Sequence, residues 1–186
     1  MHSLRSDPGR ILCSMSRTRP DATLDALDAR LLDLLTAEPR TGVLEASRRL
    51  GVARGTVQAR LDRLVARGII RSFAPTLDPA ALGYPVTAFA NLEIRQGRRD
   101  RVTEHLASLP EVLSVHTITG QGDLLCQLVA RDTDDLQRVV DELVADGDIT
   151  RTSTVVALTC VLPPRVLPLL HASAPPPERG RGADRE

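Results

Sequence analysis

The chain has 186 residues, of which 42% are apolar and 2% are aromatic, and its 24 arginines balance 24 acidic residues to a formal net charge of zero. So few aromatic rings argue against recognition of single-stranded nucleic acid by base stacking, and no apolar run approaches the roughly 18 residues that a membrane span needs. The three cysteines are far apart and form no CxxC pair, which argues against a zinc site or a disulfide framework. We therefore expect a cytoplasmic protein of one or two domains that holds no metal and no other cofactor.

The net charge of zero hides an uneven distribution along the chain. Residues 1–76 hold 13 arginines against 8 acidic residues, whereas residues 77–186 hold 11 arginines against 16 acidic residues. A basic first half beside an acidic second half favours contact with nucleic acid at one end of the protein and a different task at the other. Ordinary scatter of surface charge is the alternative.

The chain begins with a segment that predicts no regular structure. Residues 1–22 are polar and irregular, and we expect them to be disordered. Apolar residues then follow with helical spacing over residues 24–35, and Asp25 and Asp28 lie in the first turn, where the helix dipole favours acidic side chains. A break rich in turn-forming residues ends this first helix.

The next two predicted helices form the most informative segment. They extend over about residues 43–50 and 53–67, and Gly51 between them allows a left-handed turn. Two short helices joined in this way are typical of a DNA-binding helix-turn-helix, whose second helix enters the major groove. Residues 69–77 resemble an extended arm or wing, so that residues 23–76 are predicted to form a winged helix-turn-helix domain.

The third helix has a predicted apolar seam and an exposed face. On a helical wheel Val57, Leu61, Leu64 and Val65 form the seam, and the small residues opposite would let the backbone approach the floor of a groove. Arginines at the edges could then reach guanine bases or phosphates. A solvated amphipathic helix in an ordinary three-helix bundle is the alternative. The candidate DNA-binding residues of the second and third helices are Arg48, Arg49, Arg54, Thr56, Gln58, Ala59, Arg60 and Arg63.

The second half predicts a second domain after a linker at residues 77–85. A strand–helix–strand pattern occurs twice, which is the βαββαβ order of a ferredoxin-like domain over residues 86–162 and makes the fold α+β overall. Such a sheet has helices on one face only, so a second copy of the protein would most simply cover the other. Residues 163–186 are rich in proline and glycine, and we expect them to be disordered. The predicted strands are residues 86–94, 112–118, 124–130 and 150–158, and the predicted helices are residues 99–108 and 133–145.

The turn between the second and third predicted strands is a candidate ligand site. Its two glycines expose backbone N–H groups, and its aspartate supplies a carboxylate, which together suit the carboxylate and the ammonium group of a small amino acid. A tight hairpin, with glycine for positive φ and aspartate as a turn residue, is the alternative. The residues of this turn are Thr119, Gly120, Gln121, Gly122 and Asp123.

Five segments carry motifs in a characteristic order and spacing: residues 24–35, 57–70, 78–83 and 110–123, and Thr152-x-Thr154. Together they resemble the Lrp/AsnC family of transcription regulators. Residues 24–35 resemble the family's opening helix, and residues 57–70 resemble its recognition helix and the exit from it. Residues 78–83 are similar to its linker, residues 110–123 are similar to the core of its ligand-binding domain, and Thr152-x-Thr154 resembles its closing strand.

This resemblance implies an amino-acid effector near the turn at residues 119–123, with Thr152 and Thr154 of the closing strand as further candidates. It also implies double-stranded DNA and further copies of the chain as partners, in dimers, tetramers or octamers. Ala53 departs from the family's usual capping serine. An N-cap oxygen contributes about 1 kcal/mol, so we expect a looser start of the recognition helix and favour Arg60 and Arg63 over Arg54 as DNA contacts.

The histidines are scattered and no catalytic arrangement of side chains is found, so no catalytic residue is assigned. We expect a regulator that binds specific DNA and responds to an amino acid or a related metabolite. An enzyme that resembles the siroheme decarboxylases, which share this architecture, and a regulator without a ligand are the alternatives.

Overall fold

Residues 24–145 and 147–173 are described by a computed structural model, and they fall into two units. Residues 24–75 and 163–173 form one unit, which we call the helical unit. Residues 76–162 form the other, which we call the sheet unit. None of the helices in the described residues is both long and apolar enough to cross a membrane.

Helix α1 (Ala26–Ala37) begins with two aspartates that cap each other's backbone. The side chain of Asp25 accepts hydrogen bonds from the backbone N–H groups of Leu27 and Asp28, each at 2.9 Å. The side chain of Asp28 accepts one from the backbone N–H of Asp25 at 3.3 Å. This reciprocal arrangement is a capping box, which satisfies N–H groups that have no partner within the helix.

Helices α2 (Val43–Leu50) and α3 (Arg54–Ala66) meet at a glycine as predicted. Gly51 has a φ of 69°, in the left-handed region, and its N–H bonds the last turn of α2. Ala53 occupies the N-cap of α3 and provides no side-chain hydrogen bond. The core that joins the three helices consists of Leu31, Ala46, Leu50, Val57 and Leu64.

Two details of this unit differ from the sequence-based expectation. Val65, predicted in the apolar seam of α3, is 45% exposed, because the seam is narrow and only Val57 and Leu64 are fully covered. Residues 71–78 form neither helix nor strand. The expected arm therefore contains no strand of a wing in the described part of the chain.

The sheet unit has the predicted ferredoxin-like topology. Its elements in chain order are β1 (Val86–Ile94), α4 (Arg99–Ser108), β2 (Val112–Thr117), β3 (Leu124–Ala130), α5 (Thr133–Val144) and β4 (Ile149–Ala157). The four strands are all antiparallel and lie in the order β2–β3–β1–β4, so that β1 and β3 are central.

Both helices of the sheet unit pack on the same face of the sheet. Alternate residues of β1 and β3 point to this face because side chains alternate along a strand. The opposite face carries Phe89, which lies beside Gln127 on β3 and beside Val155 on β4. Val155 is 61% exposed there. The core under the helices includes Ala88, Ala90, Leu92, Val102, Leu106, Cys126, Leu128, Leu136, Val139 and Leu143.

A short helix, α6 (Leu167–Ser173), lies in the segment expected to be disordered. Leu170 is buried, and Nε2 of His171 lies 2.7 Å from Oδ1 of Asp33 on α1. The expectation of disorder is therefore wrong for this part of residues 163–186. A contact with α1, which the local sequence does not reveal, orders the helix.

Candidate functional sites

Helix α3 presents small side chains on the face that points away from the core. Val57 and Leu64 are buried on its inner side, whereas Gly55, Ala59 and Ala66 lie opposite and are exposed. Because no bulky side chain stands there, the helix backbone can approach a surface closely, as a recognition helix does in a DNA groove.

Two arginines that were expected to contact DNA bind acidic residues of α1. Nη1 of Arg60 donates to Oδ1 of Asp28 at 2.8 Å and also to Oδ2 of Asp25. Nη2 of Arg63 donates to Oδ2 of Asp28 at 2.7 Å. Asp28 is fully buried, so these guanidinium groups offset the desolvation of its carboxylate. We call Asp25, Asp28, Arg60 and Arg63 the ion cluster.

The exposed position predicted for the Arg60 side chain is wrong. The helical wheel put this side chain at the exposed edge of α3, but it lies against α1 and is only 22% exposed. The side chain of Arg63 is 46% exposed, so part of its guanidinium faces solvent. The hydrogen bond from Arg60 lowers the pKa of Asp25, and the hydrogen bonds to Asp25 and Asp28 raise the pKa of Arg60.

The other candidate cations lie on α2 and at the start of α3. Arg48 is 70% exposed and lies 3.7 Å from Glu45, and Arg49 donates to Glu38 at 2.6 Å. Arg54 is exposed, and no ion pair involves it in the described part of the chain. Arg48 is therefore the most exposed of the ion-paired candidates, and Arg54 is an exposed candidate without an ion pair among the described residues.

Two further candidates on α3 are polar and uncharged. Thr56 and Gln58 are both exposed. Nε2 of Gln58 donates to Oδ1 of Asp62 at 2.8 Å. Asp62 was not predicted from the sequence. It lies four residues after Gln58, a spacing at which side chains on a helix can contact each other.

The turn at residues 119–123 is held tightly to β1. Gly120 and Gly122 have φ values of 102° and 95°. Nδ2 of Asn91 donates to the carbonyl oxygen of Gln121. A Cβ at Gly122 would lie 1.8 Å from Oδ1 of Asn91, so glycine is needed there for space as well as for conformation. Asn91 was not selected from the sequence, although it is a polar residue between the apolar Ala90 and Leu92.

The carboxylate of Asp123 is partly used within the fold. Its Oδ2 accepts a hydrogen bond from the backbone N–H of Ile94 at 2.8 Å. The residue also lines a surface cleft with both basic and acidic side chains, which we call the Asp123 cleft. These neighbours were not predicted from the sequence, although a run of charged residues directly after β1 marks them. The other residues of the cleft are Ile94, Arg95, Gln96, Gly97, Arg99 and Asp100.

Thr152 and Thr154 are not among the residues that line this cleft. They pair across the sheet with Leu92 and Ala90, whose side chains are in the core. Opposite residues of an antiparallel pair share a face, so both threonines point to the helix side of β4. Their hydroxyl oxygens are buried and have no hydrogen-bond partner among the described residues. In the described part of the chain, no group of three or more side chains is arranged to hold a metal ion.

Comparison with known protein families assigns both units. Residues 24–71 match the model of a winged helix-turn-helix DNA-binding domain, and residues 87–167 match that of the Lrp/AsnC ligand binding domain. An HTH-type transcriptional regulator of Pyrococcus abyssi is 37% identical over 138 residues, which are 74% of this chain and 87% of the relative. The regulator AldR of Mycobacterium tuberculosis is 33% identical over 149 residues, which are 78% of this chain and 83% of AldR.

Solved structures give the same result. The structure of E. coli AsnC has a TM-score of 0.73 and 26% identity, and covers 79% of this chain and 100% of AsnC. A transcriptional regulator of Neisseria meningitidis, solved as its complex with L-Met, has a TM-score of 0.72 and 28% identity, and covers 81% of this chain and 99% of its own. These proteins are regulators, not enzymes, and give the enzyme alternative no support. With both domains matched in order and relatives above 30% identity over most of its length, the chain belongs to the Lrp/AsnC family of transcription regulators.

Proposed function

We propose that this regulator binds double-stranded operator DNA through α2 and α3, and that an amino acid or a related metabolite bound to the sheet unit changes that binding. The exposed face of α3 is the observation that carries the DNA-binding part. Small side chains occupy its centre, and accessible arginines stand at its start and on the preceding helix. Backbone phosphates attract such cations, and the bare helix face can then enter the major groove.

We assign separate roles to the candidate DNA-binding residues. Arg48, Arg49 and Arg54 lie on α2 and at the start of α3, where they suit phosphates. Arg63 retains exposed donor groups for the same purpose. Arg60 is excluded from this set, because its hydrogen bonds to α1 give it a structural task. The side chains assigned to the groove itself are those of Thr56, Gln58 and Ala59.

The Asp123 cleft supports the effector part of the proposal. An amino acid carries a carboxylate and an ammonium group, and the cleft offers Arg95 and Arg99 to the first and Asp123 to the second. The turn residues Thr119, Gly120, Gln121 and Gly122 directly precede Asp123 in the chain and remain candidates. That the related Neisseria regulator was solved with L-Met also favours an amino acid. Thr152 and Thr154 remain candidates because their buried hydroxyl groups have no partner among the described residues.

Self-association completes the proposal. The face of the sheet opposite to α4 and α5 carries Phe89 and the exposed Val155. A second copy of the chain would bury these apolar side chains and present two copies of α3 to a site with two half-sites.

The decisive experiment measures operator binding with and without each amino acid, for the wild type and for Asp123→Asn. The change removes the charge of Asp123 but keeps an oxygen that can accept the hydrogen bond from Ile94, so the turn is preserved. Fluorescence anisotropy on DNA from the chain's own promoter region reports the affinity, and thermal shift reports ligand binding. We expect the wild type to bind the DNA and to respond to at least one amino acid, and Asp123→Asn to bind equally well but to respond at least about tenfold more weakly.

The matched control is Glu104→Gln, which removes an exposed negative charge from α4. This variant should respond as the wild type does. If Asp123→Asn also responds normally, the effector site lies elsewhere. If the wild type binds no DNA at any amino-acid concentration, the proposed function is wrong.

A further inference from the structure

A single hydrogen bond joins two polar side chains on the exposed face of α3. Nε2 of Gln58 donates to Oδ1 of Asp62 at 2.8 Å, and both residues are exposed. Both lie away from Val57 and Leu64, which face the core. By helical spacing the pair lies beside Gly55, Ala59 and Ala66, the face of α3 that would enter the groove in the proposed DNA complex.

The chemistry of the pair fixes which atoms face outwards. An ionised carboxylate can only accept hydrogen bonds, so the amide nitrogen of Gln58 must face Asp62 and its oxygen must face away. The second carboxylate oxygen of Asp62 is not used by this bond. The pair thus presents two acceptors to a partner, Oε1 of Gln58 and Oδ2 of Asp62, beside the one remaining N–H of the Gln58 amide.

Small residues flank the pair on α3: Ala59 and Ala66 are too short to shield it, and Gly55 has no side chain at all. Arg54, one helical turn before Gln58, is exposed, and its proposed role is to bind phosphates. The two arginines at the same height of the helix, Arg60 and Arg63, donate to carboxylates of α1. Arginine is the usual reader of guanine. Both of these side chains take part in the ion cluster, where Arg60 is largely covered and Arg63 keeps exposed donor groups that we assign to phosphates.

In the major groove, outward acceptors can bind only the exocyclic amino groups, which are N4 of cytosine and N6 of adenine. Guanine and thymine present carbonyl oxygens at the same place, which repel a carboxylate. Building on the proposed function, we infer that Gln58 and Asp62 together determine specificity by reading an amino group on one strand of each half-site. At that position the protein selects cytosine or adenine and rejects guanine and thymine.

Selection from a randomised double-stranded DNA library tests this inference. The full chain and the variants Asp62→Asn and Gln58→Ala are each used to select bound sequences, which are then sequenced. We expect the wild type to show one position per half-site at which cytosine or adenine is preferred. In Asp62→Asn an amide that can donate replaces the carboxylate, so this preference should fall about tenfold at that position and stay unchanged elsewhere. Gln58→Ala should weaken the preference at the same or the adjoining position.

Glu104→Gln is the control for the loss of one negative charge. It removes that charge from the sheet unit and should leave every base preference unchanged. Both substitutions on α3 are at exposed positions, and an unchanged melting temperature will confirm that the helix is intact. Tight binding by Asp62→Asn with the wild-type preferences would overturn the inference and leave the proposed function standing. Failure of the wild type to select any sequence would overturn both.

Discussion

Asp28 links the start of α1 to the recognition helix through three hydrogen-bonding partners. It accepts from the backbone of Asp25 in the capping box and from the side chains of Arg60 and Arg63. A buried carboxylate is stable only when such partners offset its lost hydration. The same groups that satisfy it therefore orient α3 relative to α1, and hence the face that α3 offers to DNA.

The pKa of Asp25 leads to a prediction about acid stability. The hydrogen bond from Arg60 lowers this pKa from its ordinary value of 3.8 in the folded protein. A lowered pKa stabilises the folded state above the ordinary value, and the stabilisation is lost as the pH falls through the folded value. Asp25→Asn keeps an N-cap side chain but removes the charge. We expect its free energy of unfolding to be lower at pH 7, by less than about 1 kcal/mol because the site is half exposed.

Urea unfolding of the wild type and of Asp25→Asn between pH 7 and the acid limit checks this. The difference between the two proteins should shrink as the pH falls below the ordinary pKa of aspartate, because protonation removes the same charge from the wild type. A difference that is constant over the whole pH range would show that the Arg60 contact does not stabilise the fold.

At the scale of elements, α6 adds a packing layer to the outer side of α1. Ala29 is buried but does not belong to the core of the three helices, and it lies one turn before Asp33, which pairs with His171. The small side chain of Ala29 lets another helix approach this side of α1, and Leu170 is the apolar residue that α6 buries.

Truncation of the Leu170 side chain should destabilise the helical unit. We expect Leu170→Ala to lower the free energy of unfolding by up to about 2 kcal/mol, below the range for central core leucines because the short helix can relax. The neighbouring Leu169 is 68% exposed, so Leu169→Ala should change the stability by less than about 0.5 kcal/mol. Urea denaturation of the full chain measures both. Equal effects of the two substitutions would argue against docking of α6 on α1.

The contrast between α6 and the strands shows what the sequence could predict. The strands and α4 were located to within a residue, because alternation and helical spacing are local patterns that burial on one face imposes. Helix α6 was missed because its seven residues contain a proline and gain their order from a distant partner. Arg60 was misplaced for a related reason. A helical wheel gives the direction of a side chain but not the neighbour it meets, and here the neighbour was an acidic pair about 35 residues earlier.

At the scale of the whole molecule, the open face of the sheet predicts how copies of the chain associate. Val155 points to this face beside Phe89, whereas the next residue, Val156, points to the helix side beside Ala88. Val155→Glu would place a charge in the proposed interface, where its burial without a partner is unfavourable. We expect the dissociation constant of the dimer to rise by at least about tenfold.

The matched control is Val156→Glu, which adds the same charge to the same strand on the other face, where the side chain is 48% exposed. Light scattering coupled to size exclusion over a range of concentrations measures both variants. Retention of the wild-type mass by Val155→Glu, with loss of it in Val156→Glu, would place the interface elsewhere.

The helical unit takes its residues from both sides of the sheet unit, since residues 24–75 precede it and residues 163–173 follow it. The sheet unit is therefore an insertion in the sequence of the helical unit, and the chain connects the two units twice. A protease that nicks residues 77–85 would thus leave the two parts of the protein joined until α6 leaves α1. A conformational change in the sheet unit thus has two routes to the helical unit. One runs backwards along the linker to the end of α3, and the other runs forwards along the chain to α6, whose His171 contacts Asp33 of α1.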